Sequence, residues 1–189
     1  MNKKYKFILF ALFISNASIA NTINTIVAVI NDDIVTLKEL NKFVAFKKIN
    51  KEEGINVLVD LKIKTMIAKK LNIIPNEMLV NRNILNISEK LNIPIEVFLA
   101  DKNYSNIKED IYSRLTIELL KKEFLKNIPK FISEKDLENT ELSNKLKQIF
   151  SDPTFADSLS ANEKNIAFDI WIKKIRNETY IETFKEKII

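Results

Sequence analysis

The sequence predicts a mainly α-helical domain, opened by a short N-terminal β-hairpin and closed by a C-terminal helix. Three observations carry that prediction. Only one stretch, Ile26 to Val35, combines a β-branched run with turn chemistry. From Leu37 onward, apolar residues recur at helical spacing in segments punctuated by Pro75, Pro94, Pro129 and Pro153. The chain has 189 residues, and the 169 that follow Ala20 suffice for one domain with a sizeable core.

The first twenty residues, "MNKKYKFILFALFISNASIA", place Lys3, Lys4 and Lys6 ahead of an apolar run from Phe7 to Ile14 and a small-residue exit. That is the pattern of a secretory signal, with cleavage expected after Ala20. The run is shorter than the roughly 20 residues of a spanning helix, so no stable membrane insertion is expected after cleavage. Residues 21–189 form the expected domain, with a core over 21–137, a connecting segment over 138–161 and a closing helix over 162–187.

The folded part begins with "VAVINDDIVTLKEL". Ile26 to Ile30, a three-residue loop Asn31-Asp32-Asp33 and Ile34-Val35 read as a hairpin. Thr36 with Glu39 three residues on has capping-box spacing, predicting a helix from Leu37 to Lys48 that buries Leu40, Phe43, Val44 and Phe46 or the stem of Lys47. "KEEGINVLVDLKIKTMIAKKLNI" is ambiguous: Ile55, Val57, Val59, Leu61 and Ile63 alternate as in a strand, while Val59, Ile63, Met66 and Ile67 recur as in a helix. Its length favours a helix apolar on most of its circumference and central to the core.

A third helix follows Pro75, with Met78, Leu79, Ile84, Leu85, Ile87 and Leu91 as its apolar positions. A short fourth begins at Pro94, with Asn92 read as its cap. The longest amphipath runs from Tyr104 through Ile107, Ile111, Leu115 and Leu119, widened by Leu120 and Phe124, and stops at Pro129. Ser133 is read as the cap of a short segment that leads to Pro153 and a polar, loop-like "SDPTFADSLSANE". In the last helix Ala167, Phe168, Trp171, Ile172 and Ile175 share one face, whereas Tyr180, Ile181, Phe184 and Ile188 fall nearly opposite. Either it kinks near Asn177 or it touches two bodies in succession. No internal repeat and no domain boundary before about residue 133 is evident.

Composition closes several classes of function. With no histidine, the usual neutral-pH base, the commonest zinc ligand and every Ser-His-Asp arrangement are gone. With Gly54 as the only glycine, there is no Gly-rich phosphate loop or dinucleotide fingerprint. With no cysteine, there is no disulfide, thiol chemistry or lipid attachment through cysteine. The acidic pairs Asp32-Asp33, Glu52-Glu53 and Glu109-Asp110 read as solvated surface, since chain neighbours seldom point at one reacting atom. The net charge of +5 includes three signal lysines, so the mature chain carries +2, with no concentrated basic face for nucleic acid. No cofactor or metal is expected. Abundant Asn, Lys and Ile beside only three arginines suits a low-GC genome.

The succession "VAVINDDIVTLKEL", "LVDLKIKTMIAKKLNI" and "NIPIEVFLADKNYSNIKEDIYSRLTIELL" after a signal peptide resembles the N-terminal domain of the SurA-type periplasmic chaperones. "AFDIWIKKIRNETYIETF" resembles that family's C-terminal helix, which returns to complete the N-terminal domain. The likeness covers roughly Ile23 to Leu137 and Ile166 to Phe184. Usual members insert parvulin-type prolyl isomerase domains between these parts. Here the interval Glu138 to Asn165 holds 28 residues, below the ~50 a domain needs, and the histidines and glycines of a parvulin site are missing. The chain is therefore expected not to be an enzyme.

The resemblance implies a mainly α chaperone core with a short hairpin, acting in the periplasm as an ATP-independent holdase. Its clients would be unfolded outer-membrane β-barrel or secreted polypeptides, with the outer-membrane assembly machinery as a further partner. Holding such chains needs accessible apolar surface on a stable frame. The candidate client-binding residues are Val27 and Val29 of the hairpin, Phe43, Phe46 and Phe98 of the helices, and Tyr180 and Phe184 near the end. Trp171 is expected in the core. Tyr180 and Phe184 are expected to meet a second body: client, partner subunit or the "SNKLKQIF" segment. The alternative function is an exported assembly module that docks on one folded partner.

Overall fold

A computed structural model describes residues 25–137 and 143–188. The segment read as a signal, with its expected cleavage point after Ala20, lies outside the described residues. The chain is mainly helical, with a three-stranded antiparallel sheet in the order β2-β1-β3.

Strand β1 (Ile26–Ile30) and strand β2 (Asp33–Thr36) form the expected hairpin, but its loop is two residues, not three. Asp33 pairs with Ile30, and Asn31 turns the chain at φ 50°, a left-handed conformation that asparagine tolerates better than most residues. The third strand was not expected from the helical pattern of the last segment. Strand β3 (Ile181–Thr183) pairs with the other edge of β1, Ile30 opposite Ile181 and Ala28 opposite Thr183. Asn31 fastens the junction: its N–H donates to the Tyr180 carbonyl at 3.0 Å and its side chain accepts from the Tyr180 N–H at 3.1 Å. The central strand, covered on both edges, buries Val27, Ala28 and Ile30.

Helix α1 (Leu37–Lys47) starts where the capping pattern placed it, with Thr36 Oγ1 accepting from the Glu39 N–H at 3.2 Å. It fully buries only Leu40; Phe43, Val44 and Phe46 stay half-buried. Helix α2 (Lys51–Lys70) settles the strand-or-helix ambiguity in favour of the helix. Asn50 caps it, and Ile55, Leu58, Val59, Ile63, Ile67 and Ala68 make the buried face. Gly54 sits at the crossing with α1: a Cβ there would stand 2.2 Å from Val44 Cγ1. The one glycine of the chain thus sits where side chains of α1 rest directly on the α2 backbone.

Helix α2 and helix α3 (Glu77–Lys90) end on the same tetrapeptide, Lys-Leu-Asn-Ile. In both the asparagine is left-handed (Asn72 φ 55°, Asn92 φ 53°) and the isoleucine N–H reaches back to the third-last helical carbonyl, Ile73 to Ala68 at 2.8 Å and Ile93 to Ser88 at 3.0 Å. These are Schellman ends. Asn92 therefore closes α3 and does not cap helix α4 (Ile95–Leu99), whose N-cap is Pro94.

Helix α5 (Tyr104–Lys126) runs through two separate apolar clusters. Its first half gives Ile111 and Leu115 to a small cluster with Val80 and Ile84 of α3 and Phe98 of α4. Its second half gives Leu120 and Phe124 to the main core; Leu119 is only half-buried. Because α3 packs mainly on α4 and α5, it buries a narrow stripe, and Met78, Leu85 and Leu91 stay exposed.

The segment read as a connector is part of the main core. Helix α6 (Ser143–Ser151) buries Leu146 and Ile149 completely. The stretch read as a polar loop forms a 3-10 helix, Pro153–Ser158, capped by Asp152, and buries Ala156 and Leu159 next to it. Two or three apolar residues among polar ones are too few to show a period, but each is placed inward.

Helix α7 (Ala161–Glu178) opens with a complete capping box between Ser160 and Glu163. It ends at Glu178, not near Lys187, so the reversal of apolar face at Tyr180 marks the change from helix to strand and not a kink. Trp171 is buried, stacked on Phe124 with ring centroids 5.0 Å apart and flanked by Phe131 and Phe168.

Candidate functional site

Helix α2 forms the floor of a groove walled by α1 and α5, with a volume of about 710 Å³. That is the size range of sites that take an apolar ligand or a few side chains of a peptide. Beside the buried Leu58, its accessible apolar lining comes from Phe43 and Phe46 of α1, Val57 and Leu61 of α2, and Ile117 of α5. Val57 is 42% exposed and the other four are half-buried, so the surface is reachable from solvent.

The helical geometry of α2 explains the groove. Ile55, Leu58, Val59, Ile63 and Ile67 point into the main core, whereas Val57 and Leu61, four residues apart, lie on the flank turned to α1 and α5. The alternation that imitated a strand is therefore one helix serving two apolar surroundings. The surplus of apolar residues around that helix was the readable signal for Val57 and Leu61.

Charged side chains ring the apolar floor. Lys42 of α1 reaches Glu109 of α5 at 3.2 Å, and Lys47 reaches Asp110 at 2.5 Å, so both pairs cross between the walls. Arg114 also holds Asp110, at 3.2 Å. At the sheet end Lys62 bridges Glu39 at 3.3 Å and Asp33 at 3.6 Å, and Asp60 pairs with Arg176 of α7. The adjacent acids Glu109 and Asp110, read from the sequence as plain solvated surface, are thus partners of the opposite wall.

Of the seven residues proposed from the sequence, the groove unites two, Phe43 and Phe46. Val27 and Phe98 are corrected: both are buried, Val27 in the central strand and Phe98 in the small cluster, and neither presents a surface. A residue flanked by a strand partner on each side, or one closing a helical turn onto two neighbours, carries the same apolar character as a groove residue. Val29 is half-buried in the sheet. Tyr180 is 58% exposed beside the sheet, its hydroxyl donating to Glu182 at 2.7 Å, which raises the phenol's pKa above its ordinary 10.0. Phe184 is half-buried, with its N–H bonded to the Val27 carbonyl at 2.9 Å and the Lys187 ammonium 4.0 Å from its ring centre. Neither belongs to the groove.

Among the described residues no three acidic, histidine or cysteine side chains are grouped to hold a metal ion, and no helix is long and apolar enough to cross a membrane. No family model matches the chain, and no curated protein matches it significantly.

Proposed function

We propose that the protein is an exported, ATP-independent holdase of the SurA type, stripped to its chaperone core and without isomerase activity. Its clients are unfolded outer-membrane β-barrel or secreted polypeptides crossing the periplasm. One observation carries the reading: a solvent-reachable apolar groove, about 710 Å³, built on the helix at the centre of the fold. Alternating apolar side chains of a barrel strand suit such a floor, and the ring of charges keeps the empty groove soluble. The C-terminal strand that completes the N-terminal sheet agrees with the terminal segment's role in that family.

The test is binding of the chain from Asn21 onward to a fluorescently labelled, urea-diluted β-barrel precursor, with an unfolded soluble protein as comparison. Saturable binding that favours the precursor and suppresses its aggregation is expected. Val57→Asp and Phe46→Asp should each weaken it about tenfold or more while the circular dichroism stays unchanged, since both side chains touch the groove and neither is fully buried. Tyr180→Ala should leave it unaltered.

The second reading, a module that docks on one folded partner, draws on the exposed Met78, Leu91 and Val97 of the small lobe, at 68%, 58% and 60%. It predicts tight one-to-one binding that is sensitive to Met78→Asp, and no effect on aggregation of unrelated clients.

A further inference from the structure

Helix α1 is held differently on its two sides. Toward α2 it packs closely, with Leu40 fully buried and Val44 seated on the bare backbone of Gly54. Toward α5 its cross-groove links are the side-chain ion pairs Lys42–Glu109 and Lys47–Asp110. Lys42 and Glu109 are 52% and 70% exposed, so water and salt compete for them directly.

Both ends of α1 join their neighbours over short connections. Thr36 caps it straight out of β2, and Lys48, left-handed at φ 57°, leads into α2 through Ile49 and Asn50. Between the ion pairs and α2 lie Phe43, Phe46, Leu61 and Ile117, whose half-burial depends on where α1 stands. On the α2 side burial adds to the Lys62–Glu39 ion pair, whereas toward α5 side-chain ion pairs alone make the tie, so the weaker attachment of α1 is the one to α5.

We infer that α1 is the movable wall of the groove and that the two ion pairs are a strap holding it toward α5. Releasing the strap widens the groove and exposes its phenylalanines; restoring it narrows the groove. Ionic strength sets the balance, because screening shortens from ~10 Å at 0.1 M salt to ~3 Å at 1 M, and it weakens these pairs without touching the apolar packing on α2. The strap is a property of the chain by itself. Its consequence for clients rests on the holdase reading above.

The chain contains no cysteine, so labels can be placed at will. Spin labels at exposed Ala45→Cys and Ser105→Cys report the span from α1 to α5, and labels at exposed Asn56→Cys and Ser105→Cys report the fixed span from α2 to α5. Double electron-electron resonance on the chain from Asn21 onward, comparing low with high salt, is expected to show the first span lengthened by a few ångströms and the second unchanged. The same lengthening is expected at low salt in Lys42→Gln/Lys47→Gln. The charge swap Lys42→Glu/Glu109→Lys, added to the wild-type Lys47–Asp110 pair, should return the short span. An α1–α5 span that ignores both salt and the glutamine substitutions overturns the inference.

Client binding separates this from the functional proposal. With the strap released, the labelled precursor should bind about three- to tenfold more tightly, a range within what one exposed and one partly buried pair supply. A lengthened span with no binding of the precursor in any variant upholds the strap and overturns the holdase reading. A lengthened span with binding that is unchanged upholds the moving wall and overturns its control of the groove.

Discussion

The main body and the small lobe are built from opposite kinds of contact. In the main body the central strand β1 is closed by β3 from the far end of the chain, and Phe124 stacks on Trp171 of α7. The lobe uses one continuous stretch, from α3 through α4 to the first half of α5, with Val80, Ile84, Phe98, Ile111 and Leu115 at its centre. It leaves Met78, Leu91 and Val97 in water. A local cluster of this size forms early and opens easily, whereas a body sealed by its own two ends opens only as a whole. Among the described residues, helix α5 gives buried side chains to both and so couples them.

The largest effect should come from Trp171→Ala. Removing the ring from its stack should cost about 3–5 kcal/mol in urea unfolding followed by circular dichroism, the substitution having deleted the only tryptophan. Ile84→Ala in the lobe should cost about 2–4 kcal/mol locally, and hydrogen exchange should quicken over residues 77–115 with the amides of α7 unaffected. Equal acceleration in α7 would show one cooperative unit and break the comparison.

Gly54→Ala should cost about 1–3 kcal/mol by overpacking, because Val44 must yield to the new methyl group. The same variant should push α1 outward, a shift the spin labels on α1 and α5 would detect. Thr36→Ala removes one helix cap and should cost about 1 kcal/mol, read from the same urea curves.

The smallest effects are the pH responses, of which the acid ones at Glu163 and Asp136 belong to the main body. In the main body the hydrogen bond from Lys145, then those from the Ser160 N–H and hydroxyl, pull Glu163 from an ordinary 4.5 to about 2. A lowered folded-state pKa contributes stability above 4.5 that is lost as pH falls toward 2. At Asp136 desolvation opposes, but the bonds from Lys174 and Ser133 outweigh it, and the shift is again downward. In the lobe Glu77 accepts a hydrogen bond from Lys108 and raises its pKa above 10.5, so that contribution is present below 10.5 and is lost at higher pH. Exchange rates measured across pH should show α7 loosening in acid, and the start of α5 together with the strand edge at Tyr180 loosening in alkali. Removal of the acid response by Glu163→Gln would assign it.

Much of the fold was legible because its signals are local. Thr36 with Glu39, the long period through α5 and the length of α2 each specify a helix without reference to anything distant. Asn92 was misread because a left-handed asparagine closing one helix and an asparagine capping the next look alike in "KLNIP". The candidate site was legible only in part. Phe43 and Phe46, named from the sequence, line the groove, but Val57, Leu61 and Ile117 were not separated from the core, and Val27 and Phe98 were not separated from the surface.

Sequence alone determined the helical class, the opening hairpin, most helix starts and the inward place of Trp171, because caps, turns and periodicity act within a few residues of one another. Tertiary structure decided that Ile181–Thr183 is a strand, that the segment around Leu146 and Leu159 is core, and that α2 has one apolar flank facing a groove. The physical reason is the same in each case. A strand exists only where another strand offers it hydrogen bonds, and an apolar side chain is core or groove only according to what stands opposite it.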